Sequence, residues 1–271
     1  MDGSVDETGT GATPPLECII VIPCYNEASR FHAEPFAEFL LRGLPIRFLF
    51  VNDGSSDGTL ALLEAFRDHS PGSVEVLNLL RNSGKAEAVR QGMLRAMQQG
   101  AAYVGFLDAD LATPLSALPR LLQTLRERPK VAMVFGARVR LLGRSVQRDP
   151  MRHYLGRGFA TAVSTMLRLP VYDTQCGAKL FRATPILADI LARPFQSRWI
   201  FDVEMIARYM SVPGNGRRAA ECEIYELPLD AWHDIAGSKV GFSDFLRSAV
   251  DLIRIRRAYS AGIRSGKPER K

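Results

Sequence analysis

A chain of 271 residues with 46% hydrophobic and 24% charged content carries enough apolar material for one large core, which argues against a disordered or low-complexity protein. No apolar run approaches the roughly 20 residues of a membrane-spanning helix, so an integral membrane protein is disfavoured. The net charge of +6 favours an anionic partner.

The first segment, Met1–Pro15, is acidic and rich in Gly and Thr, without the basic-then-apolar pattern of a signal peptide. We read it as a disordered leader over residues 1–15. Short β-branched apolar runs then predict strands at Glu17–Ile22, Ile46–Val51, Val74–Leu79, Tyr103–Leu107 and Val131–Gly136. Between them, apolar residues at helical spacing predict helices over Ala33–Leu41, Thr59–His69, Lys85–Gln99 and Leu115–Arg128. Such alternation implies right-handed crossovers and a mostly parallel α/β sheet with helices on both faces. The second half is less regular. Arg138–Pro150 reads as a basic loop, His153–Leu169 as a helix, Ala178–Arg182 as a strand, Phe201–Met210 as a helix and Glu223–Leu227 as a strand. Phe242–Tyr259 is strongly amphipathic, and a basic tail follows over 261–271. No linker divides the chain, so residues 16–260 are expected to form a single domain. Its first half, 16–137, would bind a nucleotide and its second, 138–260, an acceptor. Cys18, Cys24, Cys176 and Cys222 form no C-x-x-C pair, which favours buried, reduced thiols in the cytoplasm.

Three of the predicted strands end in polar groups. The first runs into Pro23-Cys24-Tyr25-Asn26-Glu27, the second into Asn52-Asp53-Gly54-Ser55-Ser56-Asp57-Gly58-Thr59, and the fourth into Asp108-Ala109-Asp110. In a parallel sheet these ends share one rim, the usual ligand crevice of such folds. Paired carboxylates on a rigid edge suit a divalent cation, and such a cation commonly brings a diphosphate with it. A lone D-x-D is more often a solvated turn, and Asp57 alone would be an ordinary helix cap. Three polar strand ends together are harder to explain that way.

The motifs I-P-C-Y-N-E, V-N-D-G-S-S-D-G-T, R-N-S-G-K-A-E-A-V-R-Q-G and D-A-D resemble those of the inverting glycosyltransferases with the GT-A fold. Asp173-Thr174-Gln175-Cys176-Gly177-Ala178-Lys179-Leu180-Phe181 and Arg198-Trp199-Ile200-Phe201-Asp202-Val203-Glu204 narrow the resemblance. They are similar to the dolichyl- and polyprenyl-phosphate sugar transferases, nearest to the dolichyl-phosphate β-glucosyltransferases, with the mannosyl enzymes more distant. The resemblance runs from about Leu16 to Tyr259.

It implies a GT-A, Rossmann-like fold and a nucleotide-diphosphate sugar as donor, UDP-glucose before GDP-mannose. Pro23, Tyr25 and Glu27 would shape the nucleotide pocket, and Asp53 would accept from the ring N–H of the base. Lys85 would reach the nucleotide or its diphosphate. Asp108 and Asp110, with Ala109 between them, would hold Mg²⁺ or Mn²⁺, Asp110 as the principal metal ligand. An alcohol acceptor would need a base, for which Asp202 or Glu204 would serve. A polyprenyl phosphate needs cations instead, and Arg138, Arg148, Arg152 and Lys239 are the candidates. His153 and His233 are read as structural.

The relatives of this group are generally tethered by hydrophobic segments, which this sequence lacks. Peripheral contact with an anionic membrane, at its cytoplasmic face, would then fall to the C-terminal helix. Its Phe242, Phe245, Leu246, Ile253 and Ile255 would insert while Arg254, Arg256 and Arg257 meet lipid phosphates. A saccharide, glycolipid or small alcohol remains the alternative acceptor. A sugar-nucleotidyltransferase would be expected to carry a glycine-rich basic loop after its first strand, where this chain has Pro-Cys-Tyr-Asn-Glu. A non-catalytic nucleotide-sugar-binding protein would need neither an intact D-x-D nor Asp202. Nucleic acid is disfavoured as a partner because the proposed cleft is acidic.

Overall fold

Cys-Ile-Ile-Val-Ile-Pro-Cys has no polar face to offer water, so strand β1 (Cys18–Cys24) is buried on both sides at the centre of a sheet. The computed structural model describes residues 17–147, 150–233 and 242–264. In chain order, α1 (Glu34–Leu40), β2 (Ile46–Asp53), α2 (Thr59–His69), β3 (Val74–Leu79), α3 (Lys85–Gln98) and β4 (Tyr103–Leu107) complete the first half. A short 3-10 turn at Leu115–Ala117 leads into α4 (Leu118–Glu127), then β5 (Met133–Ala137) and β6 (Ser145–Gln147). The remainder is α5 (Pro150–Leu167), β7 (Ala178–Arg182), α6 (Pro185–Leu191), α7 (Phe201–Ser211), α8 (Gly216–Glu223), β8 (Ile224–Pro228), β9 (Ala231–His233), α9 (Phe242–Ala258) and α10 (Ser260–Arg264).

Seven strands form the main sheet in the order β3-β2-β1-β4-β7-β5-β8. The β1–β2, β2–β3, β1–β4 and β5–β8 pairs are parallel, and β7 runs antiparallel between β4 and β5. The mostly parallel α/β sheet with helices on both faces is therefore the fold. One detail differs from the sequence reading. The strand expected after the fourth does not extend the parallel row, because β7 occupies that place.

The strand period of two sorts side chains into two cores. Ile19 and Val21 of β1 join Val89 and Met93 of α3 and much of α7 on one face. Ile20 and Ile22 join Phe36, Leu63 and Leu121 of α1, α2 and α4 on the other. On that second face Phe31, Phe36, Phe50 and Phe66 pack with ring centroids 5.1–6.3 Å apart. Each such buried ring or aliphatic chain contributes about 1.5–3 kcal/mol. Gly92 brings α3 down onto the sheet: a Cβ there would lie 2.5 Å from the Val21 side chain. That contact also fixes the start of α3, and hence Lys85, at the sheet rim.

Several short elements lie where the sequence offered no clear period. Arg138–Pro150 was read as a loop, but β6 lies within it and pairs with β9 in a separate two-stranded sheet. Three-residue strands are shorter than any window in which alternation shows. The helix expected over Leu115–Arg128 begins with the 3-10 turn because Pro119, lacking an N–H, fits only a first helical turn. Cys18, Cys24 and Cys176 are buried free thiols, whereas Cys222, expected to be buried, is exposed.

Two expectations for the C-terminus are corrected. The domain does not stop at residue 260. Ile263 of α10 is 5% exposed within the core, and Gly262 lies so close to Ser211 that a Cβ would collide with it. Ile255, expected to face a membrane, is fully buried, and Leu252 packs beside it. The side chains of Phe242, Phe245 and Leu246, the leader 1–15 and the end of the basic tail lie outside the described residues. Among the described residues no helix is long and apolar enough to cross a membrane.

Candidate active site

The carboxyl ends of β1, β2, β4 and β5 and the beginning of antiparallel β7 meet at one rim, because Leu107 pairs with Ala178. The loops after β1 and β2 are latched together there. Asn26 adopts the left-handed conformation (φ 51°), which asparagine tolerates better than most residues. Its amide N–H donates to Ser55 Oγ at 3.0 Å, and its Oδ1 accepts from Ser56 N at 2.9 Å. Glu27 N donates to Thr59 Oγ1 at 2.8 Å, and its carboxylate pairs with Arg30 at 2.7 Å. Pro23 lies opposite Val51 within the sheet, and Tyr25 stands 38% exposed at the rim.

Asp53 is 2% exposed and already carries two charge-assisted hydrogen bonds. It accepts from Ser83 N at 2.7 Å and Gly84 N at 2.8 Å. Asp53 therefore clamps the loop that delivers Lys85 to the start of α3. The next residue must be glycine: Gly54 has φ +62°, and a Cβ there would lie 2.4 Å from the Arg81 backbone.

Lys85 Nζ lies 2.5 Å from Asp108 Oδ1. Burial works against the charge of Lys85, but Asp108, then Asp202 and Asp110, outweigh it and raise the lysine pKa. One ammonium thus lies in the field of three carboxylates from β4 and α7. Asp108 sits close to the β7 approach, and Gly177 makes that possible, since a Cβ on Gly177 would fall 2.1 Å from the Asp108 carboxylate. Asp110 Oδ1 accepts from Ala112 N at 3.0 Å, and Leu111 takes a left-handed φ of 53° in the same turn. Burial and then the Asp108 charge push the Asp110 carboxyl above its ordinary pKa.

These residues fit a divalent cation. Asp108 Oδ1 is buried without an aligned donor, because Lys85 approaches at contact distance but off the hydrogen-bonding direction. Among the described residues no group of three acid, histidine or cysteine side chains forms a closed cage. Two carboxylates leave further positions open to diphosphate oxygens and water, as the hard oxygen-seeking cations require.

Asp202 lies in the first turn of α7, where the helix dipole favours a carboxylate, and it is 5% exposed. Lys179 of β7 approaches its Oδ1 to 2.7 Å, again without hydrogen-bond alignment. That lysine is 1% exposed, donates to Cys176 O at 2.5 Å, and lies 5.2 and 5.1 Å from the centres of the Phe106 and Phe135 rings. Burial lifts the Asp202 pKa, while Lys179 and Lys85 pull it back only in part. In the sequence Lys179 stands within a motif, with no role assigned to it. The signal available was a lysine in an otherwise apolar strand.

Glu204, considered earlier as a base, belongs to the framework. It is fully buried, accepts from Gln196 N at 2.8 Å, and is held by Arg208 at 2.8 Å and Tyr259 OH at 3.0 Å. Arg138 follows β5 as expected, but its fork is engaged. Nε and Nη2 each donate to Asp173 at 2.7 Å, and Asp173 is itself buried. Burial opposes the charge on Arg138, yet Asp173 outweighs it and raises the pKa. Beside this pair a small cleft is lined by Arg157, Tyr172, Thr174 and Gln175 as well as Arg138. Arg157 stacks 3.8 Å from the Tyr172 ring centre, and Thr174 Oγ1 and Gln175 Nε2 are buried without hydrogen-bond partners among the described residues. Arg157 was not singled out from the sequence. Arg152 lies on α5 with its side chain outside the description, and Arg148 and Lys239 lie outside the described residues.

Comparison with known proteins places these features in context. The profile of glycosyl transferase family 2 matches residues 19–187. The dolichyl-phosphate beta-glucosyltransferase of Saccharomyces cerevisiae is 31% identical over 264 residues, covering 90% of this chain and 75% of the yeast protein. The mouse dolichyl-phosphate beta-glucosyltransferase is also 31% identical, over 92% of this chain and 78% of its own. Among solved structures, glucosyl-3-phosphoglycerate synthase from Mycobacterium tuberculosis, in complex with Mn²⁺, UDP-glucose and phosphoglyceric acid, superposes with a TM-score of 0.62. It covers 90% of this chain and 80% of that one at 15% identity. A mannosyltransferase from Pyrobaculum calidifontis, in complex with GDP-mannose and Mn²⁺, gives 0.58 at 16% identity, over 93% of this chain and 65% of its own. At such identities the likeness is one of fold.

Proposed function

The chain belongs to glycosyl transferase family 2, and from that membership we propose that it transfers glucose from UDP-glucose to a polyprenyl phosphate with inversion at the sugar carbon. The observation that carries this reading is the gathering of Lys85, Asp108, Asp110 and Asp202 at one rim of the sheet. The choice of glucose and of a lipid phosphate rests on relatives that are dolichyl-phosphate beta-glucosyltransferases across nine-tenths of the chain.

In this reading Asp108 and Asp110 would hold Mg²⁺ or Mn²⁺, which when bound would offset negative charge on the departing diphosphate. Lys85 adds a second positive charge on the same side of the donor. Asp53 sets the loop before Lys85, and Tyr25, with Pro23 and Glu27, borders the base and ribose. The acceptor enters on the opposite face of the sugar, from the β7–α7 side. A phosphate acceptor is already anionic, so Asp202 orients the sugar or acceptor and removes no proton. Arg138 and Arg157, in the cleft beside Asp173, are the cations proposed for the acceptor phosphate, with Arg148, Arg152 and Lys239 as further candidates from the sequence. Peripheral membrane contact at the cytoplasmic face belongs to the same reading.

A second reading has one observation in its favour. The Asp202 carboxyl is raised in pKa by burial and has an oxygen without an aligned donor, as a general base for an alcohol acceptor would. A saccharide, glycolipid or small alcohol would then replace the lipid phosphate.

Asp53→Asn tests the donor side. It exchanges one acceptor oxygen for a carboxamide NH₂ facing a backbone N–H donor, and a lost charge-assisted bond costs about 1.5–3 kcal/mol. Donor affinity is expected to fall by roughly tenfold or more, with a smaller change in kcat, because the contact exists in ground and transition states alike. Calorimetry with UDP and GDP reads this directly. Unchanged affinity would remove Asp53 from the donor site, and tighter binding of GDP would favour a mannosyl donor.

A further inference from the structure

We propose that the cavity between the end of α5 and helices α9 and α10 binds a phosphate group carried on a membrane lipid, at a site separate from the donor and acceptor pockets. The cavity measures about 410 Å³ and is lined by Arg168, Arg256 and Arg257 together with Thr165, Ser260 and Ile253. Three solvent-exposed arginines border one space, and a phosphate joining them would offset their mutual repulsion. Among the described residues none of the three has a carboxylate within ion-pair distance. Arg254, on the same helix but outside the cavity, is by contrast paired with Asp251 at 3.2 Å.

Arg168 adds an independent observation. It stands immediately after α5 with a left-handed φ of 55°, in the position where helices ordinarily place glycine. The turn is a Schellman closure, with Leu169 N donating to Ser164 O at 3.2 Å. An arginine there accepts backbone strain that glycine would avoid, and its side chain lines the cavity. The carbonyl end of α5 contributes about half a negative charge nearby, which three arginines outweigh. Planar guanidinium forks suit phosphate oxygens, and the Thr165 and Ser260 hydroxyls add neutral donors.

The rim of the cavity points to a lipid rather than a free phosphate. Val250 and Ile253 are about half exposed, and with Arg257 they follow at i, i+3 and i+7, so they share one face of α9. Leu252 and Ile255 pack α9 onto the domain from the other side. An exposed apolar strip beside an arginine cavity suits a surface where acyl chains and headgroups lie side by side. The cavity also lies near the acceptor cleft without sharing its lining. Ala160 lines that cleft and Thr165 lines this one, five residues or roughly 7.5 Å apart along α5. A headgroup held here would present the cleft to the same membrane.

Sedimentation of the full chain with phosphatidylcholine vesicles, with and without phosphatidylglycerol, tests the site. Each basic residue at such a surface is expected to contribute about fivefold in partitioning. The Arg168→Gln, Arg256→Gln, Arg257→Gln triple variant should therefore bind anionic vesicles roughly a hundredfold more weakly. Arg254→Gln, outside the cavity, should change binding by about twofold or less. UDP binding by the triple variant should equal that of the wild type, which shows an intact fold and keeps this test separate from the transferase reading. Equal losses per arginine removed, in the triple variant and in Arg254→Gln, would mean diffuse attraction and no site. Equal partitioning on neutral and anionic vesicles would also overturn the proposal. Thermal stabilisation by inorganic phosphate, lost in the triple variant and unaccompanied by vesicle binding, would reassign the cavity to a soluble phosphate.

Discussion

Alanine at Asp110 is expected to lower sugar transfer by about a thousandfold or more while leaving the protein folded. The side chain sits on a turn at the sheet rim and accepts a hydrogen bond from Ala112 N, so its loss costs about 1 kcal/mol of stability. The catalytic loss is larger because a bound cation contributes several kcal/mol to stabilising a departing diphosphate, and each 1.36 kcal/mol is tenfold in rate. Asp108→Ala should weaken nucleotide binding as well, since it also frees Lys85 from its 2.5 Å contact. Calorimetry of UDP with and without Mn²⁺ separates the two effects. The wild type should bind more tightly with the metal and Asp110→Ala should show no such gain. A wild-type rate in Asp110→Ala at saturating donor would remove the residue from the metal site.

Lys179→Met should have the largest effect on stability, about 3–5 kcal/mol, because it strands the Asp202 carboxylate in the interior. Asp202→Asn should be milder for folding. Lys179 would keep its bond to Cys176 O and its place between two aromatic rings. Combining the two substitutions should recover much of the loss, and denaturant titration of all four proteins gives the coupling between them. The same Asp202→Asn variant divides the acceptor classes. With a phosphate acceptor transfer should fall only modestly, whereas loss of a base for an alcohol acceptor costs about 10²–10⁴-fold in rate. Additive stability changes in the two single variants would mean that the buried pair is not a unit.

The parallel half of the sheet was legible in the sequence because β1, β2 and β4 are mostly buried runs ending abruptly in Asn26-Glu27, Asp53 and Asp108. Polar residues that follow such runs must lie on the rim. The antiparallel insertion of β7 was not legible, since a short apolar strand reads the same in either direction. Asp202 and Glu204, two residues apart, were both open to the role of base in the sequence, with the motif favouring Asp202. They differ because Arg208 and Tyr259, the latter 55 residues further on, reach only Glu204. Asp53 reads as a ligand contact from the motif that holds it, and Arg138 from its place directly after a predicted strand. Their partners Ser83, Gly84 and Asp173 show that both also hold the rim loops in place.

Incubation of the purified chain with UDP-[¹⁴C]glucose, Mn²⁺ and a polyprenyl phosphate, followed by solvent extraction, tests the proposed function most directly. A metal-dependent, extractable product is expected, its glucose β-linked to the lipid phosphate, inverted relative to the donor, and absent with Asp110→Ala. Label that never enters the lipid phase, but is transferred by the same protein to a water-soluble acceptor, would contradict the proposed function.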